Sequence, residues 1–225
     1  MELVYDERMS AMVFVVRIWL PDRPGALGQV ASRIGAVGGD LIGIDILERG
    51  AGRAIDELIV DLPDASLLDL LARELREVDG VDVEDMRPIG LEARDPRQDA
   101  LETAIALVEA RTIDQLLHAI ADRASRGFEA DWAAVISSES SEPLALVGKA
   151  PEVPWISAFV SGSRASLRVA SGESGPNDVA WSTLDGADLT LVLGRTGRPF
   201  RARERHQLTA LVRIADARWS ELVRR

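Results

Sequence analysis

The stretch Arg17-Ile-Trp-Leu-Pro-Asp-Arg-Pro-Gly25, continued by Ala26-Leu-Gly-Gln-Val30, decides the fold of the first half of the chain. An apolar run ends at Leu20, and turn-forming residues follow it up to Gly25. After the turn, apolar residues recur at the spacing of a helix, at Leu27, Val30, Ala31, Ile34 and Val37. The stretch therefore predicts a strand, a tight loop and a helix.

The segments around this stretch predict a small α+β domain. Strands are expected at Val13–Leu20, Leu41–Leu47 and Ile55–Leu62, with a short last strand from Val81. In the second strand, Ile42, Ile44 and Ile46 share one face and Asp45 lies on the other; in the third, Leu58, Val60 and Leu62 point inward. A second helix carries the apolar stripe Leu67, Leu68, Leu71, Leu75 and Val78. The resulting order, βαββαβ, is that of a ferredoxin-like fold.

The loop before the first helix has the chemistry of an anion site. Pro24 fixes its own φ and disfavours a helical conformation for Arg23. Gly25 has no Cβ, so a ligand can approach its backbone closely. The helix that follows begins with unpaired N–H groups and the positive end of its dipole. The loop therefore suits a carboxylate or another small anion, and an ordinary strand-to-helix turn is the alternative.

The segment Asp22-Arg-Pro-Gly-Ala-Leu27 resembles the Asp/Asn-x-Pro-Gly-x-Leu signature that opens an ACT domain. ACT domains are small βαββαβ modules that bind amino acids and regulate metabolic enzymes. The resemblance covers residues 12–90. It implies a ligand site lined by Asp22, Pro24, Gly25, Ala26, Leu27, Asp40 and Leu41.

The resemblance also implies roles for these residues. Peptide N–H groups near Ala26 and Leu27 would hold the ligand carboxylate, and Asp22 or Asp40 would hold its ammonium group. Asp40 and Leu41 would complete the site from the start of the second strand, often across a dimer. The family often has Asn where Asp40 stands, and an acid there favours a cationic group. A degenerate ACT fold kept only for dimerisation is the alternative.

Residues 91–99 are charged, contain a proline and are predicted to be a linker. Residues 100–225 are predicted to form a second α+β domain. Two helices are expected, with apolar residues at Leu101, Ile105 and Val108 and at Ile113, Leu116, Leu117 and Ile120. Further elements are expected at Trp132–Ser137, Leu144–Val147, Pro154–Val160 (a helix), Leu167–Val169, Val179–Leu184, Leu189–Leu193 and Glu204–Arg224 (a helix).

This second half resembles a GAF domain, a small sensory fold. The similar segments are Arg111–His118, Gly127–Trp132, Leu191–Arg195 and Arg198–Glu204. The resemblance implies sensing or dimerisation through the long helices near residues 100–110 and 204–224. A pocket lined by Trp155, Phe159, Trp181 and Leu193 is one expectation, and an apolar core without ligand is the other.

Composition excludes several functions. The chain has 225 residues, a net charge of −11 and no cysteine. Residues 1–90 carry 18 acids and 9 bases, a net charge of −9, which argues against a nucleic-acid face there. Without cysteine there is no disulfide, thiolate metal site or thiol nucleophile. The first residues lack the features of a signal peptide, so a cytoplasmic protein is expected.

Nothing in the sequence predicts a metal, a cofactor or an enzyme. His118 and His206 are isolated and are assigned to surface or packing roles. The serines near residues 137–141 are predicted to lie at a hairpin tip, and no phosphate-binding glycine motif occurs. Five arginines between Arg195 and Arg205 are interpreted as solvated charge, with an anion site or an acidic partner face as the alternative.

We therefore expect a non-enzymatic regulatory protein that binds an amino acid and works as a ligand-responsive homodimer. A regulated partner protein is possible, and neither nucleic acid nor membrane is expected. The alternative is an interaction scaffold that binds no small ligand and regulates a partner protein by contact.

Overall fold

The structure is a computed structural model that describes residues 12–89, 96–137, 142–164 and 178–224. The chain divides into two compact units, residues 1–93 and 94–225, which are treated separately below. The predicted strand at Leu167–Val169 and residues 91–95 of the predicted linker lie outside the described residues.

Unit 1 has the element order βαββαβ that the sequence predicts. Its strands form one antiparallel sheet in the order β2-β3-β1-β4. The elements are β1 (Met12–Pro21), α1 (Ala26–Ala36), β2 (Asp40–Gly50), β3 (Arg53–Leu62), a 3-10 turn (Ala65–Leu67), α2 (Leu68–Arg76) and β4 (Asp82–Ile89). The ferredoxin-like prediction is confirmed for this unit.

The core of unit 1 lies between the sheet and the two helices. Strand β1 pairs with β3 on one side and β4 on the other, so it occupies the interior of the sheet. Its alternate residues Phe14, Val16, Ile18 and Leu20 pack in one cluster with apolar residues of α1 and α2. The two-residue period of the strand thus sets which side chains the helices cover.

Strand β2 differs from β1 because much of its apolar surface is exposed. The predicted isoleucine row of Ile42, Ile44 and Ile46 is exposed, at 49%, 44% and 36% respectively. β2 is an edge strand among the described residues, and its register with β3 shifts between Leu41 and Gly43 and again further along. The helices therefore cover the middle of the sheet and leave this apolar row at its margin.

Unit 2 is also α+β, with an antiparallel sheet in the order β6-β5-β8-β7. Its elements are α3 (Pro96–Glu109), α4 (Ile113–Gly127), β5 (Trp132–Ser137), β6 (Ala145–Gly148), α5 (Val153–Arg164), β7 (Val179–Leu184), β8 (Leu189–Gly194) and α6 (Ala202–Val223). Helix α3 begins within the predicted linker, at Pro96. Proline suits the first turn of a helix because the N–H groups there have no partner within the helix and proline has no N–H.

Both faces of the second sheet are covered. The alternate residues Ala133 and Val135 of β5 pack in a cluster with apolar residues of α4 and α6. The intervening residues Ala134 and Ile136 pack with α5, through residues such as Ile156. A strand that is covered on both sides has apolar residues at successive positions instead of alternating apolar and polar ones. The sequence of β5 has this continuous apolar pattern.

One of the arginines predicted to be solvated is instead buried. Arg195 is only 3% exposed, and its Nη2 lies 2.7 Å from Glu204 Oε1. Its guanidinium also donates hydrogen bonds to the backbone oxygens of Phe128, Arg198 and Pro199. The solvated-charge interpretation is therefore wrong for Arg195, because a carboxylate and three carbonyl groups replace water around it.

Glu204 has a second role at the start of α6. Its Oε2 accepts a hydrogen bond of 2.8 Å from the backbone N–H of Arg201, the residue before the helix. This is the contact that the third helical residue makes in a capping box. It explains how α6 begins at a position where arginine stands in place of a Ser or Thr cap.

We predict that Arg195→Ala lowers the free energy of unfolding by about 3–5 kcal/mol, because it leaves Glu204 buried without its charge partner. Urea denaturation followed by circular dichroism measures the change. Arg213→Ala, at an exposed position on α6, is the control and should change stability by about 0.5 kcal/mol or less. Equal effects of the two substitutions would contradict the role given to Arg195.

Candidate functional site

The loop between β1 and α1 leaves its glycine open. Gly25 has a left-handed backbone, with φ of +88°. Among the described residues, no atom outside its chain neighbours lies within 4 Å of the point that a Cβ at Gly25 would occupy. A glycine is required here by the backbone conformation, and its main chain is accessible from outside.

The first turn of α1 offers peptide N–H groups beside this glycine. The N–H of Ala26 donates to Arg23 O at 3.3 Å, and that of Gln29 donates to Gly25 O at 3.1 Å. The described residues provide no acceptor for the N–H groups of Leu27 and Gly28. Of the two N–H groups predicted near Ala26 and Leu27, that of Ala26 therefore has an acceptor within the loop, and those of Leu27 and the next residue do not.

Asp22 connects the loop to the turn between β2 and β3. Its N–H donates to Gly52 O at 2.9 Å, and its carboxylate lies 3.9 Å from the Nε of Arg49. The side chain of Asp22 remains 42% exposed. The predicted acid of the loop is thus held in place through its backbone and keeps its carboxylate accessible.

Asp40 and Leu41 lie at the other end of the sheet. Asp40 is in register with Asp61, which is in register with Val13 near the start of β1. Asp22 instead follows Pro21, the last residue of β1. Eight residue steps along an antiparallel strand span about 27 Å. Within one chain, the predicted site residues therefore form two separate groups, Asp22–Leu27 and Asp40–Leu41.

Asp56 is a residue of this region that the sequence analysis did not single out. It is 4% exposed, and its Oδ1 is buried and has no hydrogen-bond partner. Burial raises the pKa of its carboxyl; the positive charge of Arg49 lowers it, and the negative charge of Asp22 raises it. The signal in the sequence was the two-residue period of β3, since Asp56 falls on the same face as the buried Leu58.

Unit 2 contains a pocket of about 350 Å³. Glu152 is the one ionisable residue among its lining residues, which are Ala134, Pro143, Leu146, Ala150, Pro151, Glu152, Val153, Pro154 and Ile156. The four predicted lining residues are not among them. The rings of Trp155 and Phe159 stack on each other at 5.8 Å, and Leu193 belongs to the core on the opposite face of the sheet.

The part of the chain that the structure describes contains no group of three or more His, Cys, Asp or Glu side chains placed to hold a metal ion. No helix within it combines the length and the apolar character that crossing a membrane requires.

The family model of the ACT domain matches residues 14–80. Together with the βαββαβ order and the loop signature, this match supports an ACT domain at residues 14–80. No curated protein matches the chain.

Several solved structures are similar to parts of the chain or most of it. The ACT domain of GTP pyrophosphokinase from Chlorobium tepidum is 20% identical and covers 36% of this chain and 100% of its own, with a TM-score of 0.29. An unknown protein from Galdieria sulphuraria is 15% identical and covers 92% of this chain and 94% of its own, with a TM-score of 0.34. The regulatory subunit of aspartate kinase from Thermus thermophilus, in its ligand-free form, is 13% identical and covers 91% and 92%, with a TM-score of 0.29.

We predict that Asp56→Asn stabilises the protein increasingly as the pH rises. With a raised pKa in the folded state, Asp56 contributes stability that is complete below its ordinary value of 3.8 and is lost as the pH rises through the raised value. Asparagine does not ionise, so the variant does not lose this stability as the pH rises. The difference in unfolding free energy between variant and wild type, from urea titrations at a series of pH values, should grow across this window and then level off. A difference that does not change with pH would contradict the prediction.

Proposed function

We propose that this protein is a cytoplasmic regulatory protein, not an enzyme, whose ACT domain binds an amino acid at the β1–α1 loop of a homodimer. The observation that carries the proposal is the accessible backbone of Gly25 directly before two α1 N–H groups without acceptors, inside a segment that is an ACT domain. Two peptide donors at the positive end of a helix suit the carboxylate of an amino acid.

The other side chains supply complementary chemistry in this proposal. Pro24 and Gly25 keep the backbone of the loop open, and Ala26, which is buried, seats the start of α1 on the core. The exposed carboxylate of Asp22 faces the ammonium group of the ligand. Asp40 and Leu41 close the site from a second copy of the chain, because they lie too far from the loop of their own copy.

The edge strand β2 provides a route to such a dimer. Ile42 and Ile44 are exposed on it, and an exposed apolar edge strand is a template for pairing with another chain. In a two-fold dimer, β2 would pair antiparallel with its own copy. Asp40, at the start of β2, would then approach the partner copy's turn around Gly52, to which the Asp22 loop is bonded. By symmetry, such a dimer would have two equivalent sites, each combining the Asp22–Leu27 group of one copy with the Asp40–Leu41 group of the other.

The GAF-like assignment of residues 100–225 forms the second part of the proposal. The described residues of this unit form four antiparallel strands with helices on both faces, which is compatible with it. Helix α3 also exposes Leu101, Ile105 and Val108, at 66%, 54% and 56%, on one helical stripe. Unit 2 would respond to the geometry of the dimer or bind an effector of its own, with a coupling free energy of about 1–3 kcal/mol.

A scaffold that binds no small ligand is the second candidate function. The exposed apolar residues of β2 and α3 favour it, since such patches mark protein-protein contacts. In that case, the ACT domain would serve only to dimerise or to contact a regulated partner protein.

We predict that one or a few of the twenty amino acids raise the melting temperature of the full chain. A ligand at 100 times its Kd adds about 2.7 kcal/mol to the unfolding free energy. Gly25→Trp should abolish the shift, since the indole fills the open space beside the loop. Gly197→Trp is a matched control, because Gly197 has a similar φ of +73° and similarly open surroundings in unit 2. No shift with any amino acid would favour the scaffold.

We predict that the wild-type protein is a dimer and that Ile44→Lys makes it a monomer, because it places a charge on the apolar edge of β2. Analytical ultracentrifugation measures the change. Leu101→Lys, at an exposed position of α3, distinguishes this route from dimerisation through unit 2. A dimer that persists in Ile44→Lys and dissociates in Leu101→Lys would refute the β2 interface.

A further inference from the structure

We propose that the pocket of unit 2 binds a small apolar amine, a molecule with a hydrocarbon part, one protonated nitrogen and no carboxylate. The pocket, of about 350 Å³, lies between strands β5 and β6 and the start of helix α5. This inference goes beyond the proposed function, because it concerns residues of unit 2 alone and holds whether or not the β1–α1 loop binds an amino acid.

The floor of the pocket belongs to the apolar core. Ala134 of β5 and Ile156 of α5 line the pocket, and both are fully buried members of the core cluster on this face of the sheet. Ala134 is in register with Leu146 of β6, which also lines the pocket and is 46% exposed. The pocket therefore reaches from an exposed leucine down to the core, and a ligand there would remove apolar surface from water.

The walls of the pocket are rigid. Three prolines line it, Pro143 before strand β6 and Pro151 and Pro154 on either side of the residue at which α5 begins. Proline fixes its own φ. The backbone oxygen of Glu152 accepts a hydrogen bond of 3.2 Å from the N–H of Ile156, which closes the first turn of α5 beside the pocket. The pocket is thus formed before a ligand arrives, as small-molecule sites usually are.

The volume of the pocket sets the size of the ligand. An apolar cavity of about 150 Å³ holds one benzene molecule. A pocket of about 350 Å³ therefore accommodates a six-membered ring together with a short chain. Because the lining residues are alanine, proline, leucine, valine and isoleucine apart from one glutamate, the hydrocarbon part of the ligand would supply most of the affinity.

Glu152 sets the charge of the ligand. It is exposed, and within the described part of the chain its carboxylate makes no hydrogen bond or ion pair. A carboxylate beside an apolar pocket attracts a cation and repels an anion. A divalent metal ion would need several oxygen ligands, and Glu152 is the one acidic side chain that lines the pocket among the described residues. A protonated amine attached to a hydrocarbon fits both the charge and the lining.

The test is isothermal titration calorimetry of the full chain with three probes of similar shape, which are 2-phenylethylamine, 2-phenylethanol and 3-phenylpropanoate. We expect the amine to bind most tightly and the carboxylate least. Glu152→Gln should weaken binding of the amine about 2- to 5-fold, as the loss of an exposed charge pair predicts, and leave binding of the alcohol unchanged.

A second pair of variants tests the place of binding. Ala150→Trp, at a half-buried position of the lining, should weaken all probes about 10-fold or more, because the indole fills the pocket. Ala158→Trp, at an exposed position of α5 that does not line the pocket, is the matched control and should change none of them. Should Ala150→Trp not fold, Leu146→Lys provides the test, since its cation should weaken the amine and favour the carboxylate probe.

The inference is overturned if the wild type binds none of the three probes at about 10 mM, or if it binds the carboxylate as tightly as the amine. Equal binding of the amine by the wild type and by the folded pocket variant would also overturn it. The proposed function is judged separately by the amino-acid thermal shifts. Gly25→Trp, which should abolish those shifts, should leave binding of 2-phenylethylamine unchanged.

Discussion

The hydrogen bonding of β1 on both edges is the constraint on which unit 1 depends. Because β1 pairs with β3 and β4 over nearly its whole length, its last residue has a fixed place at one end of the sheet. The loop after it must then turn the chain onto the helical face within a few residues. Gly25, with its left-handed backbone, makes that turn possible and leaves the main chain open at the same point. Fold and candidate site thus share one requirement.

The sequence predicted the elements of unit 1 because β1 is an apolar run, α1 carries apolar residues at helical spacing, and turn-forming residues separate the two. The separation of Asp22 from Asp40 was also accessible from the order of the elements. A helix that follows a strand returns the chain to the end where the strand began, so β2 starts at the far end from the loop. The residues that the ACT resemblance assigns to one site are therefore divided between two places in one chain.

Other features could not be read from the pattern. The exposure of the β2 isoleucines depends on the order of strands in the sheet, because the same alternation on an interior strand would be buried. The burial of Arg195 depends on Glu204 and on the carbonyl of Phe128, which tertiary folding brings to it. Asp56 is a partly predictable case. Its position on the inward face of β3 follows from the two-residue period, but acids are seldom buried, so the sequence alone would favour an exposed side chain.

The two units treat buried charge differently. The guanidinium of Arg195 is surrounded by acceptors, whereas Oδ1 of Asp56 has none among the described residues. Conflicts between local chemistry and stable folding concentrate at functional positions in natural proteins. In unit 1, Oδ1 of Asp56 lies on β3 toward the end of the sheet at which the β1–α1 loop begins.

The double role of Glu204 has a mechanical consequence for unit 2. One carboxylate both closes the first turn of α6 and holds the arginine that follows β8. Loosening the first turn of α6 would therefore also remove the carboxylate partner of the arginine that follows β8. Fraying ordinarily starts at helix ends, and at the first turn of α6 it would have to break this shared contact.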